Sequence, residues 1–262
     1  MKDLFSLAGK VAVVTGGSRG LGAMIARGFV ENGVKTYISA RNEEELNATA
    51  KELSSLGECV AIVADLSTLS GIEEFTKTLN SYESKLDILV NNAGAAWGAS
   101  FAEFPEQGWD KVMNLNAKSP FFVTQKLLPL LSASASSDRP ARVINIASIN
   151  GINNPKTNNY SYAASKAAVI QMTRHLAADL VKDHININAI APGFFLSKLT
   201  KYLVNEQEAL FAQKMVPKER LGQAEDIAGT AIYLSSQASS WMTGHTLVLD
   251  GGVIASSGYG DL

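Results

Sequence analysis

The sequence predicts a doubly wound α/β fold, a single domain on a parallel sheet of about seven strands with helices on both faces. Three observations predict it. Short runs rich in β-branched residues recur along the chain: "KVAVVT", "VKTYISA", "CVAIVA", "LDILVN", "ARVINIA", "ININAIA" and "HTLVLD". These runs are apolar almost throughout, as strands buried on both faces must be, instead of alternating apolar with polar. Stretches of helical periodicity separate them, at about 21–31, 43–56, 72–82, 108–131 and 162–181. Strand and helix alternating from one end to the other is the Rossmann-type pattern.

Length and composition agree with one domain. The 262 residues are 46% hydrophobic and 18% charged, enough to build a sizeable core, and no Pro/Gly/Ser-rich linker interrupts them. The biased stretch "SASASSD", 132–138, reads as a loop tip. A formal net charge of -2 gives no global electrostatic case for nucleic acid or an anionic membrane. The single cysteine, Cys59, excludes an internal disulfide and reads as a small buried apolar residue in a reducing compartment. The N-terminal "MKDLFSLAGK" lacks a signal peptide's apolar core, and no run approaches the roughly 18 apolar residues of a membrane span. A cytoplasmic protein is expected.

Right-handed crossovers put every strand's C-terminal end on one edge of such a sheet, and ligands bind there. The turn after the first strand, "TGGSRGLG" at 15–22, has two readings. Gly16-Gly17-Ser18-Arg19-Gly20 fits G-x-S-x-G, a hydrolase nucleophile elbow, which would need an acid and then a histidine later at the same edge. The three histidines do not supply one: His175 lies in a helical pattern, His184 just after it, and His245 begins the last strand. The other reading is a phosphate cradle. Gly16, Gly20 and Gly22 let the backbone turn sharply before a helix whose free N–H groups face an anion.

The second strand ends in Ala40, where an NAD-selective site usually carries an acid for the ribose 2′-hydroxyl. Arg41 follows, and Arg19 sits inside the glycine turn. Two guanidiniums there suit a 2′-phosphate, so the cofactor expected is NADP(H). After the third strand, Asp65 is placed to cap the next helix. After the fourth comes "NNAG", 91–94, a plausible turn.

The fifth strand ends at Ser148, whose hydroxyl could hold the developing oxyanion of a substrate carbonyl. Fourteen residues on, "YSYAASK" places Tyr162 and Lys166 on one helix face. A neighbouring ammonium stabilises phenolate, lowers the tyrosine's pKa and makes it a general acid. Tyr160 has Ala164 four residues later, so Tyr162 is the candidate. The sixth strand runs into "APGFF", a Pro-Gly turn, and the stretch "LSKLTKYLVNEQEALFAQKM" reads as part of a helical lid at about 194–216. Trp97, Ile149, Asn150, Phe194, Phe195, Leu199 and Tyr202 form a largely apolar set for a substrate pocket.

Five ordered motifs, TGxxxGxG at 15–22, "NNAG", Ser148, the Tyr162–Lys166 pair and "APGFF", resemble the short-chain dehydrogenase/reductase family. The likeness runs from about Gly9 to Gly252, including the terminal "TGHTLVLDGG". It implies carbonyl reduction by hydride transfer, with Asn116, Ser148, Tyr162 and Lys166 as the catalytic set. Asn116, five residues before Phe121, matches the family asparagine that kinks its helix and holds a proton-relay water, while Asn114 reads as an ordinary helix residue. The interval from Ser148 to Tyr162 is one residue longer than the usual family spacing, an excess the loop "INGINNPKTNN" can absorb.

The resemblance implies cofactor contacts from Gly16, Ser18, Arg19, Gly20, Leu21 and Gly22, from Arg41, Asp65 and Leu66, and from Asn92, Ala93 and Gly94. It adds Tyr162, Lys166, Pro192, Gly193, Phe195 and Ser197 around the nicotinamide, and no metal. Longer stretches resemble the bacterial 3-oxoacyl reductase branch, which implies a 3-oxoacyl thioester substrate. An acyl carrier protein is then a candidate partner, with Lys198, Lys201 and Arg220 as candidate contacts. A homotetramer is implied, packed through about 108–131 and 162–181. The alternatives are a carbonyl or sugar/polyol dehydrogenase of the same family and a non-catalytic NADP-binding regulator.

Overall fold

The computed structural model describes residues 3–153, 157–195 and 214–256. Seven parallel strands pair in the order β3-β2-β1-β4-β5-β6-β7. They are β1 (Val11–Thr15), β2 (Lys35–Ala40), β3 (Cys59–Val63), β4 (Ile88–Asn91), β5 (Ala141–Ile146), β6 (Ile185–Pro192) and β7 (Thr246–Leu249). The chain lays β1 to β3 outward in one direction and β4 to β7 in the other. β1 and β4 therefore meet at the point where the winding reverses, the place where open α/β sheets bind ligands.

The apolar strand runs are explained by burial on both sides. Ala12, Val14, Ile88, Val90, Ile144 and Ile146 face one core. Their neighbours Val11, Val13, Leu89, Ala141 and Val143 face the other. The first core is roofed by α1 (Gly20–Glu31), α2 (Glu43–Leu53) and α7 (Ala224–Ser235). The second is roofed by α3 (Leu69–Tyr82), α5 (Ser119–Ser134) and α6 (Tyr160–Leu180). Cys59 is buried at the start of β3, and desolvation pushes its thiol up to about 11, an inert packing residue.

Helix limits depart from the sequence reading in two informative places. The stretch 108–131 is not one regular helix: α4 (Glu106–Met113) leads into a π-helical turn, Asn114–Lys118, before α5 begins. Pro120 has no N–H for the carbonyl four residues back, so the regular ladder fails at Asn116 and the turn widens. Residues 132–134 of "SASASSD" also belong to the last turn of α5, leaving a shorter loop. The segment 196–213, which holds most of the expected lid with Ser197, Lys198, Leu199, Lys201 and Tyr202, lies outside the described residues, as does the tail from 257. No helix among the described residues is long and apolar enough to cross a membrane.

Candidate active site

Because the strands are parallel, the turns after β1 to β6 open on one edge. Thr15 and Asn92 stitch the β1 and β4 ends together there. The Thr15 hydroxyl accepts the Asn92 and Ala93 N–H groups at 2.9 and 3.0 Å and donates to the Val90 carbonyl at 3.3 Å. The Asn92 amide donates to the Thr15 and Gly16 carbonyls at 2.9 and 3.1 Å. Gly16 has φ +66, and a Cβ there would stand 2.9 Å from the Ala93 Cα. At Gly22 a Cβ would strike the Gly16 carbonyl oxygen and the Asn92 amide. Glycine is thus required where the turn packs against the end of β4, and the start of α1, with its free N–H groups, fits a pyrophosphate on the helix N-terminus.

Ser18 is no nucleophile. Its hydroxyl donates to Glu45 Oε2 at 3.4 Å, and no histidine is among its recorded partners in the described residues. Arg19 and Arg41 are both exposed, and Arg19 Nη1 pairs with the same carboxylate oxygen at 2.7 Å. Asp65 does not cap the following helix: Thr68 does, accepting the Gly71 N–H at 3.1 Å. Asp65 instead folds the turn before it, accepting from Ser67 N and Oγ at 3.0 and 2.7 Å. Partial desolvation raises its carboxyl pKa, but the Ser67 bonds and the Arg41 charge outweigh that and hold it below the usual value. Leu66 is buried in the second core, so only its main chain is available to a ligand.

The chemical end of the site is more deeply set. Lys166 is 4% exposed, and its Nζ donates to the Ile146 carbonyl at 2.7 Å, which ties α6 to the end of β5. The same Nζ lies 5.6 Å from the centroid of the Tyr162 ring. Burial pushes the ammonium down to about 8. Ser148 stands at the head of the short turn Ile149–Gly151, where its Oγ accepts the Asn150 N–H at 3.1 Å. That bond occupies the oxygen and leaves the hydroxyl proton to be donated elsewhere.

Asn116, 1% exposed in the π-helical turn, has its side chain fully engaged. Its Oδ1 accepts the Ala95 N–H at 2.8 Å, and its Nδ2 donates to the Ala95 carbonyl and to Ser165 Oγ, both at 2.9 Å. Ser165 in turn donates to the Tyr162 carbonyl at 2.7 Å. A Cβ on Gly94 would come 3.3 Å from Asn116 Oδ1 and 3.8 Å from Lys166 Nζ, so "NNAG" ends in a residue that leaves both room. The structure therefore brings Asn116, Ser148, Tyr162 and Lys166 to one edge with Gly16, Asn92, Ala93 and Gly94. Sequence reasoning missed Ser165, which precedes Lys166 and links Asn116 to Tyr162.

The outer candidates are mixed. Trp97 lies flat on α4, where a Cβ on Gly108 would be 2.7 Å from the indole, with Lys111 Nζ 5.3 Å above the ring. Ile149 is buried and Asn150 half-buried. Phe194 packs on Val216 and Leu221, while the Phe195 ring is buried against Gly222 and joins the first core, so it does not line a pocket. Pro192 ends β6, and Gly193 passes the Asp250 backbone so closely that a Cβ would stand 2.8 Å from its Cα. Arg220 is engaged elsewhere, in a two-pronged pair with Asp226 at 2.6 and 3.0 Å at the start of α7. Among the described residues no group of three or more His, Cys, Asp or Glu could hold a metal ion.

A family profile described as Enoyl-(Acyl carrier protein) reductase matches residues 16–254. A Rhamnolipids biosynthesis 3-oxoacyl-(acyl-carrier-protein) reductase of Pseudomonas aeruginosa is 48% identical over 253 residues, covering 96% of this chain and 99% of its own. A 2-dehydro-3-deoxy-D-gluconate 5-dehydrogenase of Escherichia coli is 38% identical over 257 residues, covering 96% and 98%. Among solved structures, the Pseudomonas aeruginosa RhlG/NADP active-site complex matches with a TM-score of 0.93 at 47% identity, covering 97% of this chain and 99% of that one.

Proposed function

The chain belongs to the short-chain dehydrogenase/reductase family, and on that premise we propose that it reduces a 3-oxoacyl thioester to the 3-hydroxyacyl form with NADPH. The observation that carries the chemistry is the buried Lys166 ammonium 5.6 Å from the Tyr162 ring, on the same edge as a serine hydroxyl that has no acceptor among the described residues. NADPH, when bound, supplies the hydride. Its pyrophosphate would rest on the turn of Gly16, Gly20 and Gly22, with Leu21 beside it. Its 2′-phosphate would meet Ser18, Arg19 and Arg41, its adenine Asp65 and Leu66, and its nicotinamide end Asn92, Ala93, Gly94, Pro192, Gly193 and Ser197.

The residues divide the remaining work. Ser148 donates to the carbonyl oxygen and holds it as negative charge develops. Tyr162 delivers the proton to that oxygen, and the Lys166 ammonium stabilises the phenolate left behind. One N–H of that ammonium is fixed on Ile146, so the others are free to orient toward the ribose and the phenol. Asn116 positions the tyrosine through Ser165, and its main-chain carbonyl, which Pro120 gives no N–H four residues on, would be the one to hold a relay water.

An acyl substrate, rather than a ketose, is favoured by the apolar surroundings. Ile152 and Phe101, on the connections after β5 and β4, and Tyr160, the first residue of α6, are exposed, and the rings of Phe101 and Phe104 pack edge-on against Tyr160. A segment at about 194–216 would close over the acyl chain. Docking of an acyl carrier protein would use Lys198, Lys201 and Arg220, the last of which stays exposed in its pair with Asp226. We further propose a cytoplasmic homotetramer, packed through α4–α5 and α6.

NADPH absorbance followed with an acetoacetyl thioester, a ketose and a simple diketone tests the reading. Turnover of the thioester at a kcat/KM at least tenfold above the others supports it. Faster turnover of the ketose would make the protein a sugar dehydrogenase, and oxidation of NADPH by none of them would leave a regulator.

A further inference from the structure

Two of the groups assigned to the cofactor's 2′-phosphate are already held by a carboxylate of the chain itself. Glu45, in the first turn of α2, accepts from Arg19 Nη1 at 2.7 Å and from Ser18 Oγ at 3.4 Å through one oxygen. Its position is fixed from both sides. Asn42 Oδ1 accepts the Glu45 N–H at 2.9 Å, and Thr49 Oγ1, one turn along, donates to the Ser18 carbonyl at 2.7 Å. The first turn of α2 is thereby locked onto the glycine turn.

β2 ends in Ala40, without the acid that meets the ribose 2′-hydroxyl in NAD-selective sites. Glu45 delivers a carboxylate from the next helix to the donors a 2′-phosphate would use. We propose that Glu45 is a specificity-determining residue that stands in for the 2′-phosphate on Arg19 and Ser18 and so limits the preference for NADP(H) over NAD(H). The inference rests on the assignment of Arg19 to that phosphate. A guanidinium has five N–H donors in a planar fork, and Glu45 takes only the Nη1 end. Arg19 can keep Glu45 while offering its other edge, but two anions then share one cation and repel each other. A bound NAD(H) has no 2′-phosphate to set against Glu45 and escapes that penalty.

Glu45→Gln keeps an oxygen that accepts from Arg19 and Ser18 and removes only the charge. Dissociation constants for NADP+, NAD+ and adenosine 2′,5′-bisphosphate would be measured by titration calorimetry on the full chain, at low and high salt. Glu45→Gln should tighten NADP+ and the bisphosphate about threefold to fivefold at low salt, an effect that fades at high salt. NAD+ binding should stay as in the wild type, and Glu45→Asp should keep the wild-type ratio. A merely structural role would move all three ligands together. An unchanged or reduced ratio of NADP+ to NAD+ affinity in Glu45→Gln overturns the inference. Arg19→Gln separates the two failures: if it leaves NADP+ affinity intact, the phosphate assignment falls and Glu45 with it. If it weakens NADP+ alone while Glu45→Gln does nothing to the ratio, only the role of Glu45 falls.

Discussion

Replacing Lys166 by methionine is expected to abolish turnover and yet make the protein harder to unfold at neutral pH. Burial lowers this ammonium from 10.5 to about 8, which at about 1.4 kcal/mol per pH unit penalises the folded cation by about 3 kcal/mol. Methionine fills a similar volume without charge and adapts to irregular space. Its cost is the lost bond to the Ile146 carbonyl, about 1–2 kcal/mol. The variant should therefore gain about 1–2 kcal/mol at pH 7, as apolar replacements of buried ions often do. The pH dependence gives the sharper test. Lys166 loses its proton at a lower pH folded than unfolded, so between about 8 and 10.5 the unfolded chain binds more protons and wild-type stability rises with pH. Lys166→Met has no such rise, so its advantage should shrink through that window and reverse near its upper end. Urea unfolding of both proteins at equal concentration from pH 7 to 10, read by tryptophan fluorescence, gives the difference directly, because other titrating groups cancel. A stability difference that stays constant with pH would refute the argument.

Three other substitutions probe the site separately. Tyr162→Phe should lower kcat about a hundredfold or more while the NADP+ dissociation constant stays within about twofold, since it removes the transferred proton and leaves the phosphate contacts in place. Stopped-flow turnover beside calorimetry reads both. Gly22→Ala places a methyl on the Gly16 carbonyl and the Asn92 amide, so it should cost about 1–3 kcal/mol of stability and abolish the rise in Tm on adding NADP+. A variant still stabilised by NADP+ would mean that the pyrophosphate lies elsewhere. Arg41→Asp puts an acid next to the end of β2 and should move the NADPH-to-NADH ratio of kcat/KM by about tenfold or more toward NADH. An unmoved ratio would take Arg41 out of the phosphate site.

The sheet was legible because both of its faces are buried, which makes each strand apolar along its length, as Ala12–Val14 and Ile88–Val90 are. The catalytic positions were legible because parallel strands all deliver their following residues to one edge. Local competition between residues was harder to read. Asp65 and Thr68 are both capable caps three residues apart, and Ser67 captures the first and leaves the helix to the second. Asn116 looks like any helical asparagine until Pro120 is counted against it. Ion pairs leave no such spacing to find: Arg220 reaches forward six residues to Asp226 in the first turn of α7, and Glu45 reaches Arg19 only because two strand–helix units lie side by side.

The two ends of the site are held by different forces, and this determines what can vary at each. At the chemical end the bonds are largely buried and form short networks. Asn91 donates to Thr124 and Asn145, and Asn145 to Thr173, which binds β4 and β5 to α5 and α6. A second set runs from Asn116 through Ser165 to the Tyr162 carbonyl, and Lys166 separately ties α6 to the end of β5. Each donor there is out of water, so removing one leaves a partner unsatisfied at a cost of about 1–3 kcal/mol and displaces its neighbours. At the adenosine end the Arg19–Glu45 pair is partly exposed, is screened by salt and is worth about 1 kcal/mol or less. Charge there can be exchanged with little loss of fold, so cofactor choice can change without disturbing the proton transfer. The reverse does not hold, because a substitution in the Asn116 network shifts the tyrosine, the lysine and the β4 loop together.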